Sequence, residues 1–157
     1  MPPLLYLVRH AHALDDPDDA ARTLSSRGRA EVMRLARWLQ PSAAFEPAKV
    51  WYSPLVRARE TAELLVAELG LAVRRTERAE LVPEADPALA AKALGGETKP
   101  LALFGHEPHL SALASLLVTG AASPVVFTFR KGTVLALEPV GHGRWAVRWQ
   151  LSPDLFG

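Results

Sequence analysis

Residues 4–8, Leu-Leu-Tyr-Leu-Val, form an unbroken apolar run, the pattern of a strand covered on both faces. In 24–41 the pattern changes period: Val32, Leu35, Ala36 and Leu39 recur at i, i+3, i+4 and i+7, an amphipathic helix stopped by Pro41. Lys-Val-Trp-Tyr-Ser (49–53) predicts a short strand. Residues 53–70 predict a helix with Ser53 as N-cap, Pro54 at its first position and Gly70 past its end. Ala58, Ala62, Leu65 and Leu69 give that helix one buried face. Residues 72–77 suit an edge strand and 86–96 a short helix. Pro-Leu-Ala-Leu-Phe-Gly-His (100–106) is a second buried strand, and Leu110, Leu113, Ala114 and Leu117 mark the helix behind it. The tail differs. Val-Val-Phe-Thr-Phe (125–129), 133–139 and 144–151 predict strands linked by hairpins, with a turn at 138–144. Alternating strands and helices imply an α/β fold: a three-layer α/β/α arrangement around a mostly parallel sheet, with antiparallel strands added by the C-terminal segment. No repeat or linker divides the chain, so one domain over 1–157 is expected.

Polar residues punctuate this pattern at particular places. Arg9 and His10 follow the first strand without a break, Arg57 falls in the first turns of the helix after the second, and His106 follows the third main strand. Open α/β sheets bind ligands outside the carboxyl ends of their strands. Three distant segments therefore deliver two guanidiniums and two imidazoles to one rim, where helix N-termini add unpaired N–H groups. Such a set describes an anion pocket, and the planar fork of arginine suits phosphate oxygens. Arg34, Arg37, Arg74, Arg75 and Arg78 are read as solvated faces and edges. His12, His109 and His142 are read as packed or solvated histidines, and Trp51, Trp145 and Trp149 as core.

Composition narrows the chemistry. The chain has 157 residues, 49% hydrophobic and 22% charged, enough for a substantial core. A net charge of +1 supplies no strong field toward nucleic acid or a membrane. The absence of cysteine excludes disulfides, thiolate metal sites and a cysteine nucleophile. Polar residues arrive by position 9, too early for a signal peptide, and no run approaches a membrane span. A cytoplasmic protein is expected.

Three blocks carry a family resemblance. Leu-Val-Arg-His-Ala-His-Ala (7–13) resembles the Arg-His-Gly signature of the histidine phosphatase superfamily, with Ala11 where glycine is commoner. Residues 52–65, Tyr-Ser-Pro-Leu-Val-Arg-Ala-Arg-Glu-Thr-Ala-Glu-Leu-Leu, resemble its second block, and residues 103–117, beginning Leu-Phe-Gly-His-Glu-Pro-His-Leu, its third, built on Gly-His. Residues 22–39 resemble its first helix. Short length and the Gly-His-Glu-Pro-His-Leu block point to the SixA-type phosphohistidine phosphatase branch, with a phosphoglycerate mutase-like fold. The resemblance implies that His10 is the nucleophile and becomes phosphohistidine, that Arg9, Arg57 and His106 clamp the phosphoryl oxygens, and that water releases inorganic phosphate. Attack needs a neutral nitrogen, so the other ring nitrogen of His10 should face an acceptor such as a backbone carbonyl.

The proton donor stays open between two carboxylates. Glu80 resembles the acid of the mutase branch, and Glu107 directly follows His106, where the acid-phosphatase branch carries an aspartate. SixA-type members often lack a dedicated acid, which suits a phosphorylated imidazole, since solution protonates its distal nitrogen near neutral pH. The expected partner is therefore a phosphohistidine-bearing protein, with a small phosphate ester as the alternative and a non-catalytic phosphate-binding module as a third reading. The connection over 54–100 is short and partly helical, leaving little for a lid. No cofactor or metal is expected. His10, His12, His106, Glu107 and His109 offer ligands for a hydrolytic dication, but Arg9 and Arg57 would repel it.

Overall fold

A computed structural model describes residues 3–155. It contains one six-stranded sheet in the order β3-β2-β4-β1-β5-β6. Strands β1 (Leu5–Arg9), β2 (Lys49–Tyr52), β3 (Arg74–Glu77) and β4 (Leu101–Gly105) are mutually parallel, while β5 (Val134–Gly141) and β6 (Arg144–Leu151) add antiparallel pairs beside β1. The expected α/β layering, the edge position of β3 and the C-terminal antiparallel extension are all present. β1 and β4 lie at the centre. Leu5, Leu7 and Val8 in β1 and all of Leu101–Gly105 are buried, as a strand sandwiched between two helical layers requires.

Helices α1 (Ser26–Leu39) and α2 (Val56–Glu68) cover one face of the sheet. Val32, Leu35, Ala36 and Leu39 from α1 meet Ala62, Leu65 and Val66 from α2 there, over Tyr6, Val8, Val50, Ala102 and Phe104. Helices α3 (Pro87–Leu94) and α4 (His109–Thr119) cover the other, where Leu110, Leu113 and Leu117 pack on Leu5, Leu7, Leu101 and Leu103. Alternate residues of each central strand thus feed opposite cores, the period-2 rule expressed in both directions. Trp51 is buried, and Trp145 and Trp149 pack half-buried against these cores.

Two expectations need correction. Residues 125–129 form no strand. Val125 and Val126 are both exposed, so alternation begins only at Val126, with Phe127 and Phe129 inward and Thr128 outward, and the backbone groups of the segment go elsewhere. Val126 N–H donates to Ser115 Oγ, and the carbonyls of Thr128 and Phe129 accept from Gln150 and Arg9. β5 holds the place beside β1 that this segment would need. Nor is Ser53 the N-cap of α2. Leu55 occupies that position, with Pro54 ahead of the helix, while Gly70 does follow its end at φ +65°.

Candidate active site

Four backbone contacts assemble the carboxyl end of the sheet. His10 N–H donates to Gly105 O of β4 at 3.0 Å, and Arg9 N–H to Thr133 O at 3.0 Å. Gly132 N–H is shared between the carbonyls of Arg9 and His10, each at 3.1 Å. Gly132 sits at φ +79° in the turn closed by Thr133 N–H on Arg130 O, a backbone state that glycine adopts at little cost. The chain just beyond β1 is thus pinned between β4 and this turn.

On that frame His10 is 5% and His106 1% exposed. Their ring centroids are 5.1 Å apart with planes inclined at 51°, so one tetrahedral anion fits within reach of both. His10 Nδ1 lies 2.8 Å from Ala11 O. A carbonyl only accepts, so Nδ1 carries the proton and Nε2 keeps its lone pair. This is the backbone restraint that a neutral attacking imidazole calls for. Burial, helped by Arg57, Arg9 and Lys131, pushes the His10 pKa down to about 3, and burial with His10 and Arg57 pushes that of His106 down to about 2. Both rings are therefore neutral at neutral pH.

His106 Nε2 lies 2.7 Å from Ser53 Oγ. That oxygen already accepts from Leu55 N–H at 3.2 Å, leaving its own proton for the imidazole. With Ser53 donating to Nε2, the ring proton sits on Nδ1. Nδ1 is buried and has no protein partner among the described residues, a donor held ready for an anion.

The two arginines are held from behind. Arg9 Nη1 donates to Phe129 O at 2.7 Å, and its buried Nε has no protein partner among the described residues. Burial lowers the Arg9 pKa, an effect that nearby Glu107 opposes. Arg57, near the start of α2, is 5% exposed. It donates to Asp19 O at 2.8 Å and to Asp19 Oδ2 at 3.2 Å, and its Nε is likewise without a protein partner among the described residues. Desolvation pushes the Asp19 carboxyl up, but Arg57 and Arg22 outweigh it and hold the group below its ordinary range. Thr61, one turn along α2, donates its hydroxyl to Arg57 O at 2.7 Å and accepts from Ala11 N–H at 3.1 Å. It ties the helix to the first block. Ala11 is not among the residues with positive φ, so glycine is not needed there.

The four residues expected from the strand ends are therefore brought together. The two acid candidates are engaged elsewhere. Glu107 accepts from Ser111 N–H at 2.8 Å and from the Ser111 hydroxyl, capping the first turn of α4. Glu80, on the short 3-10 turn Ala79–Leu81, pairs with Arg78, which also stacks 3.9 Å over Trp51. Among the described residues no three His, Asp or Glu side chains are grouped to hold a metal ion.

Sequence reading gave Ser53, Thr61 and Asp19 no part in this site. The Ser-Pro and Thr-Ala positions of the second block were the available signal for the first two. Nothing local marks Asp19, because its partner lies 38 residues away.

Comparisons with known proteins bear on the fold and on the first two blocks. No curated protein matches the sequence. Among solved structures, the protein histidine phosphatase SixA complexed with tungstate superposes with a TM-score of 0.88 at 24% identity, over 98% of this chain and 99% of that one. A SixA structure from Agrobacterium tumefaciens gives 0.81 at 21% identity, over 98% and 99%. A mycobacterial glucosyl-3-phosphoglycerate phosphatase gives 0.69 at 16% identity, over 94% and 98%. Identities this low establish a shared fold. The sequence signature of the histidine phosphatase superfamily (branch 1) matches residues 5–80, the stretch holding Arg9, His10 and Arg57. The chain thus carries the sequence signature of the histidine phosphatase superfamily (branch 1) over residues 5–80, on a fold similar to that of the SixA structures.

Proposed function

We propose that the chain is a metal-independent phosphatase that removes phosphate from protein phosphohistidine through a covalent intermediate on His10. One observation carries the reading: a neutral imidazole fixed by the backbone carbonyl of Ala11, 5.1 Å from a second imidazole and flanked by two buried-nitrogen arginines. The lone pair of His10 Nε2 attacks phosphorus in line with the leaving nitrogen, whose P–N bond breaks. The departing imidazole leaves neutral once its far nitrogen has taken a proton from solution. Water then attacks the phosphoenzyme, its proton passes to solvent, and phosphate and free His10 are regenerated. His106 Nδ1–H, Arg9 and Arg57 stabilise the equatorial oxygens in both steps.

Magnitudes require the whole set. Three such donors at about 2.7–4 kcal/mol each, with positioning worth about 7–11, reach roughly 15–23 kcal/mol, within the usual span of enzymatic acceleration. Phosphohistidine is favoured as substrate because both nearby carboxylates are already committed, Glu107 to α4 and Glu80 to Arg78. An alkyl ester needs its leaving oxygen protonated, whereas a phosphoramidate does not need a protein acid. The likeness to a protein histidine phosphatase supports the same choice.

Rapid-quench trapping with 32P-phosphohistidine protein tests this. A labelled, acid-labile phosphoenzyme is expected, absent in His10→Ala, with turnover reduced at least about 1000-fold. Label retained in that variant overturns the nucleophile. Faster release from alkyl phosphates than from phosphohistidine overturns the substrate class.

A further inference from the structure

Beside the phosphate pocket, and sharing Arg9 as a wall, lies a second cleft of about 380 Å³. Its other cationic walls are Arg27, Arg130 and Lys131, and His12 also lines it. Two acidic members, Glu31 and Asp154, offset part of this charge and leave the cations in excess. Glu31 is 9% exposed, accepts from His12 N–H at 3.1 Å and faces Arg27 at 4.0 Å. Asp154 pairs with Arg130 at 3.3 Å. Lys131 makes no ion pair among the described residues, and it lies within electrostatic reach of His10. Its place is not accidental to the fold. Lys131 stands next to Gly132, whose N–H is held by the carbonyls of Arg9 and His10, and a side chain at Gly132 would strike Pro153 at 2.8 Å.

We infer that this cleft is a substrate subsite for a carboxylate carried by the phosphorylated protein close to its phosphohistidine. The inference rests on the reading above and names the partner's chemistry. An anion in a cleft that shares Arg9 with the phosphate pocket belongs to the molecule whose phosphoryl group fills that pocket. The cleft is open: Arg27 and Arg130 have 74% and 72% of their side chains exposed. Small molecules are held in sites that enclose most of their surface. Long, exposed cations instead suit a carboxylate projecting from a partner, and act on encounter rate and register. Arg27 of α1 and Arg130 and Lys131 of the turn wall the cleft, so it draws an acidic substrate toward α1 and the 130–133 turn.

Three phosphohistidine peptides, alike except for two flanking Glu, Ala or Lys residues, provide the test. The wild type should show kcat/KM about tenfold higher for the Glu peptide than for the Ala peptide, and lower still for Lys. Arg27→Glu/Lys131→Glu should invert the order, and the single variants Lys131→Ala and Arg130→Ala should each narrow the Glu-to-Ala ratio. Ratios within one enzyme cancel any effect of Lys131 on His10 itself. Glu and Ala peptides hydrolysed within twofold of each other by the wild type, or a Glu preference that survives charge reversal, overturns the subsite and leaves the phosphohistidine reading standing. Hydrolysis of none of the three, with turnover of a small alkyl phosphate, overturns both.

Discussion

Ser53 shows how much of the chemistry rests on single hydroxyls. Its Oγ accepts Leu55 N–H and faces His106 Nε2, which places the hydroxyl to hold the His106 proton on Nδ1 by donating to Nε2. Without the hydroxyl, the proton is free to move to Nε2, away from the anion. Removing the orienting partner of a functional histidine elsewhere costs about 10–100-fold. Ser53→Ala should lower kcat in that range while KM changes far less, because the interaction it supports grows as charge shifts to the phosphoryl oxygens. Ser53→Thr, which restores a hydroxyl, should recover part of the rate. A Ser53→Ala enzyme with kcat within twofold of wild type excludes the tautomer role. Thr61 acts on the same scale, since one hydroxyl links the backbone of Arg57 to that of Ala11.

At the scale of elements, α1 is placed by a close approach. An added Cβ at Gly28 would lie 2.0 Å from His12 O and 3.0 Å from His12 C, both backbone atoms that cannot turn aside. Ser25 caps the same turn through Gly28 N–H at 3.0 Å, and His12 Nδ1 meets Ser25 Oγ at 2.6 Å. Gly28→Ala must push α1 off the segment after His10. Overpacking of this kind costs typically about 1–3 kcal/mol. Urea denaturation should show that loss, with catalysis impaired as well; an unaltered midpoint refutes the close packing. The strands and helices that carry strong periodicity were legible in the sequence. Leu4–Val8 and 101–105 are continuous apolar runs, and both are central buried strands. His10, His106, Arg9 and Arg57 were legible because each abuts such an element. Residues 125–129 were misread because alternation reports which side chains turn inward and not whether a neighbouring strand has edge groups to share. The cationic cleft was not legible. Arg130 and Lys131 are brought to β1 by backbone bonds from the 130–133 turn, about 120 residues away in the chain.

For the whole molecule, gathering neutral histidines in a cationic pocket has a thermodynamic consequence. His10 and His106 are held down at about 3 and about 2, and burial also lowers His109, opposed by Glu107, Asp86 and Glu80. An unfolded histidine takes its proton near pH 6.5. Between that value and about 3, the unfolded chain therefore binds more protons than the native one, and stability falls as pH falls. Each fully protonated unfolded imidazole contributes a slope of about 1.4 kcal/mol per pH unit, so His10 and His106 together give up to roughly 3. A domain of ordinary stability, about 5–15 kcal/mol, would lose much of it by about pH 4. Asp19 acts in a lower window: its depressed carboxyl adds stability above the unfolded carboxylate range, and this is lost only on further acidification. Being 67% exposed, it contributes little. Urea midpoints measured from pH 7 to 4.5 should fall steeply for the wild type. In His106→Gln the curve should flatten by about one proton's worth, whatever the variant's stability at pH 7. Parallel curves for the two proteins would mean that His106 is charged in the native state, and the pocket would then be built for a permanent imidazolium clamp instead of a neutral donor.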